Sequence, residues 1–145
     1  MSDHTRLSLL KERHINERAV LVANGPSLNR MKLDFLRSEC VIGMNKIFLG
    51  FKEIIIIGMD HRYDYSGPPN QECRLDGPDP NHFIPDYFGN GQTWDNPALA
   101  HSEESYSIAR VQFEKDGRRI IDATLDGACT IFEKADYQKV FGVPQ

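Results

Sequence analysis

Apolar residues in this chain fall in short continuous runs, separated by stretches with helical spacing. Ala19 to Ala23 is a buried-type strand that runs into the small-residue turn Asn24-Gly25-Pro26-Ser27. Leu28 to Ser38, with Met31, Phe35 and Leu36, predicts helical turns leading to a second strand over Cys40 to Met44. Glu53 to Asp60 carries Ile54, Ile55, Ile56 and Ile57 in succession, as expected of a central strand covered on both faces. Arg119 to Thr124 reads as a final strand. Leu7, Leu10, Lys11 and His14 share one helical face and predict a leading helix over Thr5 to Asn16. Leu99, Tyr106, Ala109 and Phe113 form the stripe of a second helix, opening at Asn96-Pro97 or Ser102 and stopped by Asp116-Gly117. The tail through Phe132, Tyr137, Val140 and Phe141 predicts short helical turns.

The pattern breaks between Tyr63 and Pro97, where Pro68, Pro69, Pro78, Pro80, Pro85 and Pro97 gather with Gly67, Gly77, Gly89 and Gly91. A connection this long in a compact domain is a lid, a binding loop or a disordered segment. Phe83, Tyr87, Phe88 and Trp94 argue for an ordered, packed one.

At 145 residues the chain makes one α/β domain, 1–145, large enough to bury its own core. Its net charge of -4 and scattered basic residues argue against a general nucleic-acid binder, which needs a concentrated basic face. Cys40, Cys73 and Cys129 have a spacing that fits neither a zinc ribbon nor a disulfide framework, and a reducing cytoplasm is the simplest inference. No signal peptide or membrane anchor is expected from the polar start, and nothing supports peripheral membrane contact.

The candidate chemistry begins at the glycine turn. Gly25 lets the backbone approach an anion, Pro26 has the fixed φ of a first helical residue, and the N–H groups that follow lack intrahelical acceptors. The same letters also suit an ordinary strand-to-helix turn. Asp60 and His61 with Asp64 could hold a divalent ion at the strand's C-terminal edge, or form a solvated strand end. Asp122 and Asp126 read as turn residues, and no Gly-x-Ser-x-Gly elbow marks a hydrolase.

Several segments together resemble one family. They are the Ala-Asn-Gly-Pro-Ser-Leu turn, Gly43-Met44-Asn45-Lys46-Ile47-Phe48-Leu49, Gly50-Phe51-Lys52-Glu53 before Ile54–Asp60, His82-Phe83-Ile84-Pro85-Asp86-Tyr87-Phe88, and Asp122-Ala123-Thr124. The family links bacterial lipooligosaccharide sialyltransferases to proteins of surface-polysaccharide and flagellin-glycosylation loci, and more distantly to an archaeal hydroxymethyl-dihydropterin diphosphokinase. The resemblance implies a compact Rossmann-like, three-layer α/β fold with a mostly parallel sheet. It implies that Asn24, Gly25, Pro26 and Ser27 lie beside the phosphate and ribose of a CMP-sugar, and that Asn45 contacts the nucleotide. It gives His82 the part of general base on the acceptor hydroxyl, and Tyr63 and Tyr65 the part of helping the leaving phosphate. A histidine near neutral pH suits the first of these parts.

The implied activity is sugar-nucleotide-dependent glycosyl transfer to a glycan acceptor in surface-polysaccharide synthesis. No tightly bound cofactor is expected, and magnesium is a possible requirement. Two other readings stand beside it: a catalytically silent nucleotide- or partner-binding module, and a metal-dependent pyrophosphokinase-like enzyme. The relatives carry a long middle segment that is missing here, so that only about eight residues, Asn45 to Lys52, join two core strands. A parallel crossover normally needs a dozen or more, so either these strands are not ordinary neighbours or a partner chain supplies part of the fold. Apolar sheet surface left uncovered by the shortening predicts a homodimer or larger homo-oligomer.

Overall fold

The structure, a computed structural model, describes residues 17–23, 25–43, 51–85, 87–88 and 91–144. The expected leading helix, Asn24 and Asn45 lie outside the described residues. Five strands form one parallel sheet: β1 (Arg18–Val22), β2 (Cys40–Gly43), β3 (Glu53–Ile57), β6 (Arg119–Asp122) and β7 (Glu133–Lys134), in the order β2-β1-β3-β6-β7. Between β3 and β6 the chain makes a separate antiparallel pair, β4 (Glu72–Arg74) with β5 (Thr93–Asp95), and then helix α1 (Leu99–Lys115). A short helix α2 (Tyr137–Phe141) follows β7, started by the Asp136 side chain on the Gln138 N–H and ended by Gly142 at φ 64°.

The sheet sits between two layers, so this is a Rossmann-like three-layer α/β fold. Successive strand residues point to opposite faces. Ala19, Ile54, Ile56 and Ile120 pack with Phe51, Cys129, Phe132 and the α1 residues Tyr106, Ala109 and Phe113. Val20, Ile55, Ile57 and Ala123 pack on the other side with Leu28, Met31 and Tyr137. Ile55 and Ile57 are 0% exposed, and burial of each such side chain contributes about 1.5–3 kcal/mol. The isoleucine run is thus covered on both faces within one chain, and its burial supplies no reason for a second copy.

Three local features sharpen or correct the sequence reading. The helical turns expected over Leu28 to Ser38 are two 3-10 helices, Pro26–Arg30 and Asp34–Ser38. Leu28 and Met31 are both buried in the same cluster three residues apart, the spacing that a three-residue turn brings into line. The 63–97 segment is packed but also carries the β4–β5 pair. Its organiser is Asn96, which is 1% exposed and donates to the Ser66 and Pro68 carbonyls while accepting from the Cys73 thiol. The third feature is β7, whose polar pair Glu133-Lys134 gives no strand signal. There the fully buried Asp122 accepts from Lys134 Nζ at 2.6 Å and from the Thr124 N–H at 2.9 Å. Asp122 is therefore a strand residue that fixes the sheet edge.

β2 and β3 lie on opposite sides of β1, so the strands joined by the short connection are not sheet neighbours. Among the described residues no helix is long and apolar enough to cross a membrane.

Candidate functional site

The order of strands places a crevice. The chain leaves β1 toward β2 on one side and leaves β3 toward β6 on the other, so the C-terminal ends of β1 and β3 diverge from their connections. In open parallel sheets this switch point is where ligands lie. The glycine turn stands at the end of β1 and the segment Gly58–Tyr63 at the end of β3.

The two ends are tied together. Ala23 N–H donates to the Ile57 carbonyl at 2.8 Å and Gly25 N–H to the Gly58 carbonyl at 2.7 Å, extending the ladder past the strand ends. Ser27 then donates its N–H to Asp60 Oδ2 at 2.8 Å, and its hydroxyl donates to Asp60 Oδ1. Leu28 N–H closes back on the Gly25 carbonyl. Pro26 has no donor. The donors of Gly25, Ser27 and Leu28 are all engaged, and the anion at the turn is the chain's own Asp60 carboxylate. An external phosphate bound there would have to displace it. Gly25 has an ordinary extended backbone, φ -68° and ψ 150°, so its lack of a side chain matters for space. A Cβ there would fall 2.6 Å from the Asp60 Cγ, and closer still to Asp60 Oδ1 and the Gly58 carbonyl oxygen.

A cavity of about 230 Å³ opens against these ends, lined by Leu21 and Ile56 from the sheet, Tyr106 and Phe132 from its cover, and Met59, Asp60, His61, Arg62, Tyr63 and Asn81. Sites that enclose whole drug-sized ligands run to about 300–1,000 Å³, so this one has room for only a ring-sized group. His61 is buried, with its Nε2 3.0 Å from Glu103 Oε1 of α1 and its ring 5.9 Å from that of Tyr106. Burial raises the Tyr63 phenol above its ordinary pKa, with the Asp60 charge adding to the shift. Burial does the same to Tyr106, helped by Tyr63, so both phenols keep their protons at neutral pH. Arg62 is exposed at the cavity mouth and has no ion-pair partner among the described residues.

His82 lies one loop away. Its Nδ1 is 2.7 Å from Oδ2 of the buried Asp79, and its ring stacks on Tyr87 at 4.2 Å and meets Phe88 edge-on. Asn81 joins this loop to the cavity by accepting from the Asp64 N–H at 2.6 Å and donating to the Asp64 carbonyl at 3.1 Å. His82 itself does not line the cavity. Of the two tyrosines singled out in the sequence, Tyr63 lines it and Tyr65 does not, although the two are similarly exposed, at 39% and 37%.

The possible metal donors are drawn apart, Asp60 to Ser27 and His61 to Glu103. Among the described residues no three His, Cys, Asp or Glu side chains gather where they could hold a metal ion. The sequence reading missed Glu103, Tyr106, Arg62 and Asp79. Tyr106 was visible there only as part of an apolar stripe.

No family model, curated protein or solved structure matches this chain.

Proposed function

We propose that the switch-point crevice binds a sugar nucleotide, with a CMP-sugar as donor, and that the chain is a glycosyltransferase-like protein of surface-polysaccharide synthesis. The observation that carries this reading is the cavity at the diverging ends of β1 and β3, bordered by the glycine turn. The motif resemblance points to the same crevice. With the Ser27 donors held by Asp60, the nucleotide phosphate is met instead by the Arg62 guanidinium and the phenol of Tyr63. A phenol that keeps its proton can donate to a departing phosphate.

A second reading is a catalytically silent nucleotide- or partner-binding module, favoured by the engaged donors of the turn. Thermal unfolding with CMP, UDP, GDP and ATP, each with and without magnesium, separates the readings. A ligand at one hundred times its Kd stabilises the native state by about 2.7 kcal/mol. For a chain of this length that raises the Tm by roughly 5–10 °C. A shift with CMP, lost in Arg62→Ala, supports the proposal. A response confined to ATP with magnesium points to a pyrophosphokinase-like enzyme, and no shift with any nucleotide refutes nucleotide binding.

A further inference from the structure

Two histidine–carboxylate pairs flank the crevice, but one histidine alone lines the cavity among the described residues. We infer that His61, held by Glu103, accepts the proton of a ligand hydroxyl seated there, so that the hydroxyls of a sugar or nucleoside are the chemistry this cavity takes. The inference rests on the proposal that the crevice holds the substrate.

The imidazole is anchored through one nitrogen only. Nε2 meets the Glu103 carboxylate at 3.0 Å. A carboxylate on one ring nitrogen fixes that nitrogen as the N–H and leaves the other with a lone pair. That other nitrogen, Nδ1, has no partner among the described residues and is not sealed from solvent, although the side chain is only 5% exposed. It is a buried base with one open atom. His61 sits at φ 53°, a left-handed conformation uncommon for residues other than glycine. The charged and titratable groups around the cavity are Asp60, Arg62 and Tyr63 from the same segment and Tyr106, with Glu103, from α1. His82, by contrast, stacks one ring face on Tyr87, meets Phe88 edge-on and does not line the cavity, which suits a residue that orders its loop.

In a transfer step the hydroxyl oxygen forms its bond to the anomeric carbon of the donor. The bond from that carbon to the nucleotide phosphate breaks, its electron pair leaving with the phosphate. The hydroxyl proton passes to Nδ1 of His61.

The test combines chemical modification with one variant of the full chain. Diethyl pyrocarbonate modifies open, unprotonated imidazole nitrogens, and mass spectrometry locates the sites. His61 should react at neutral pH, and saturating CMP should slow that reaction at least tenfold. Glycine adopts a left-handed backbone freely, so His61→Gly removes the ring without straining the backbone, and circular dichroism checks that the variant is folded. Its hydrolysis of CMP-sialic acid should fall at least a hundredfold and recover with added imidazole, while CMP still raises its Tm and His101→Asn behaves as wild type. Wild-type hydrolysis by His61→Gly overturns the inference, and so does an unreactive His61 where the exposed His101 reacts. A wild type that neither binds CMP nor hydrolyses the donor removes the sugar-nucleotide reading. His61 is then judged on its reactivity, modification supporting an open base in the cavity and its absence overturning it.

Discussion

Gly25→Ala is the substitution that tests the architecture of the crevice most directly. The added Cβ meets the Asp60 carboxylate and the Gly58 carbonyl well inside van der Waals contact, and the carbonyl is backbone that cannot swing away. Relief requires the turn to move off the end of β3. Three hydrogen bonds cross that gap: Gly25 N–H to the Gly58 carbonyl, and the N–H and hydroxyl of Ser27 to Asp60. A neutral bond contributes about 0.5–1.5 kcal/mol and one to a charged group about 1.5–3, but a shift of a few tenths of an ångström weakens rather than deletes them. The expected loss is about 2–4 kcal/mol, or roughly 4–16 °C in Tm for a domain of this size. Urea unfolding followed by circular dichroism should show a lower midpoint at unchanged slope. Asp60→Ala removes two of the three close contacts. The double variant should therefore lose at least about 1 kcal/mol less than the sum of the single losses. A Gly25→Ala protein that melts within about 2 °C of wild type would refute the claim that Gly25 is there for the approach of Asp60 and Gly58.

Two further predictions follow from one buried carboxylate and two partly desolvated phenols. Lys134→Met strands the fully buried Asp122 carboxylate with only the Thr124 N–H, which should cost about 3–5 kcal/mol by urea denaturation; a loss below about 1 kcal/mol would contradict the buried pair. Because Tyr63 and Tyr106 hold their protons more tightly folded than unfolded, their contribution is complete below about pH 10 and is lost as pH rises through their folded values. The Tyr63→Phe, Tyr106→Phe double variant should accordingly lose less stability than wild type between pH 9.5 and 11; equal losses would show that these phenols do not titrate differently on folding.

The four longer strands were legible because each is an apolar run of the right length, and α1 because Leu99, Tyr106, Ala109 and Phe113 keep helical spacing. β4, β5 and β7 were not. Glu72-Cys73-Arg74, Thr93-Trp94-Asp95 and Glu133-Lys134 carry little apolar pattern, and their extended form comes from partners distant in sequence. The site divides in the same way. The glycine turn announces itself, yet the group that fills it, Asp60, lies beyond two strands. His61 and Glu103 meet only because α1 packs over the end of β3, which no local spacing encodes. The His82–Asp79 pair is the exception, three residues apart and readable in principle, had a buried aspartate been expected in so polar a stretch.

The place of β1 also bears on how the chain assembles. Among the sheet strands it is synthesised first, yet it ends between two others, with β2 closing one edge and β3 the other. Until Glu53–Ile57 has been made, Ala19 to Val22 presents a bare, apolar edge to whatever is nearby. Unpaired edges of that kind recruit strands from other chains, and the closure that removes the hazard depends on contacts distant in sequence, which form slowly. Escape from aggregation therefore depends on how soon β3 docks, and the pair of strands that frames the crevice in the finished molecule is the pairing that covers the last bare edge of β1 while the chain is being built.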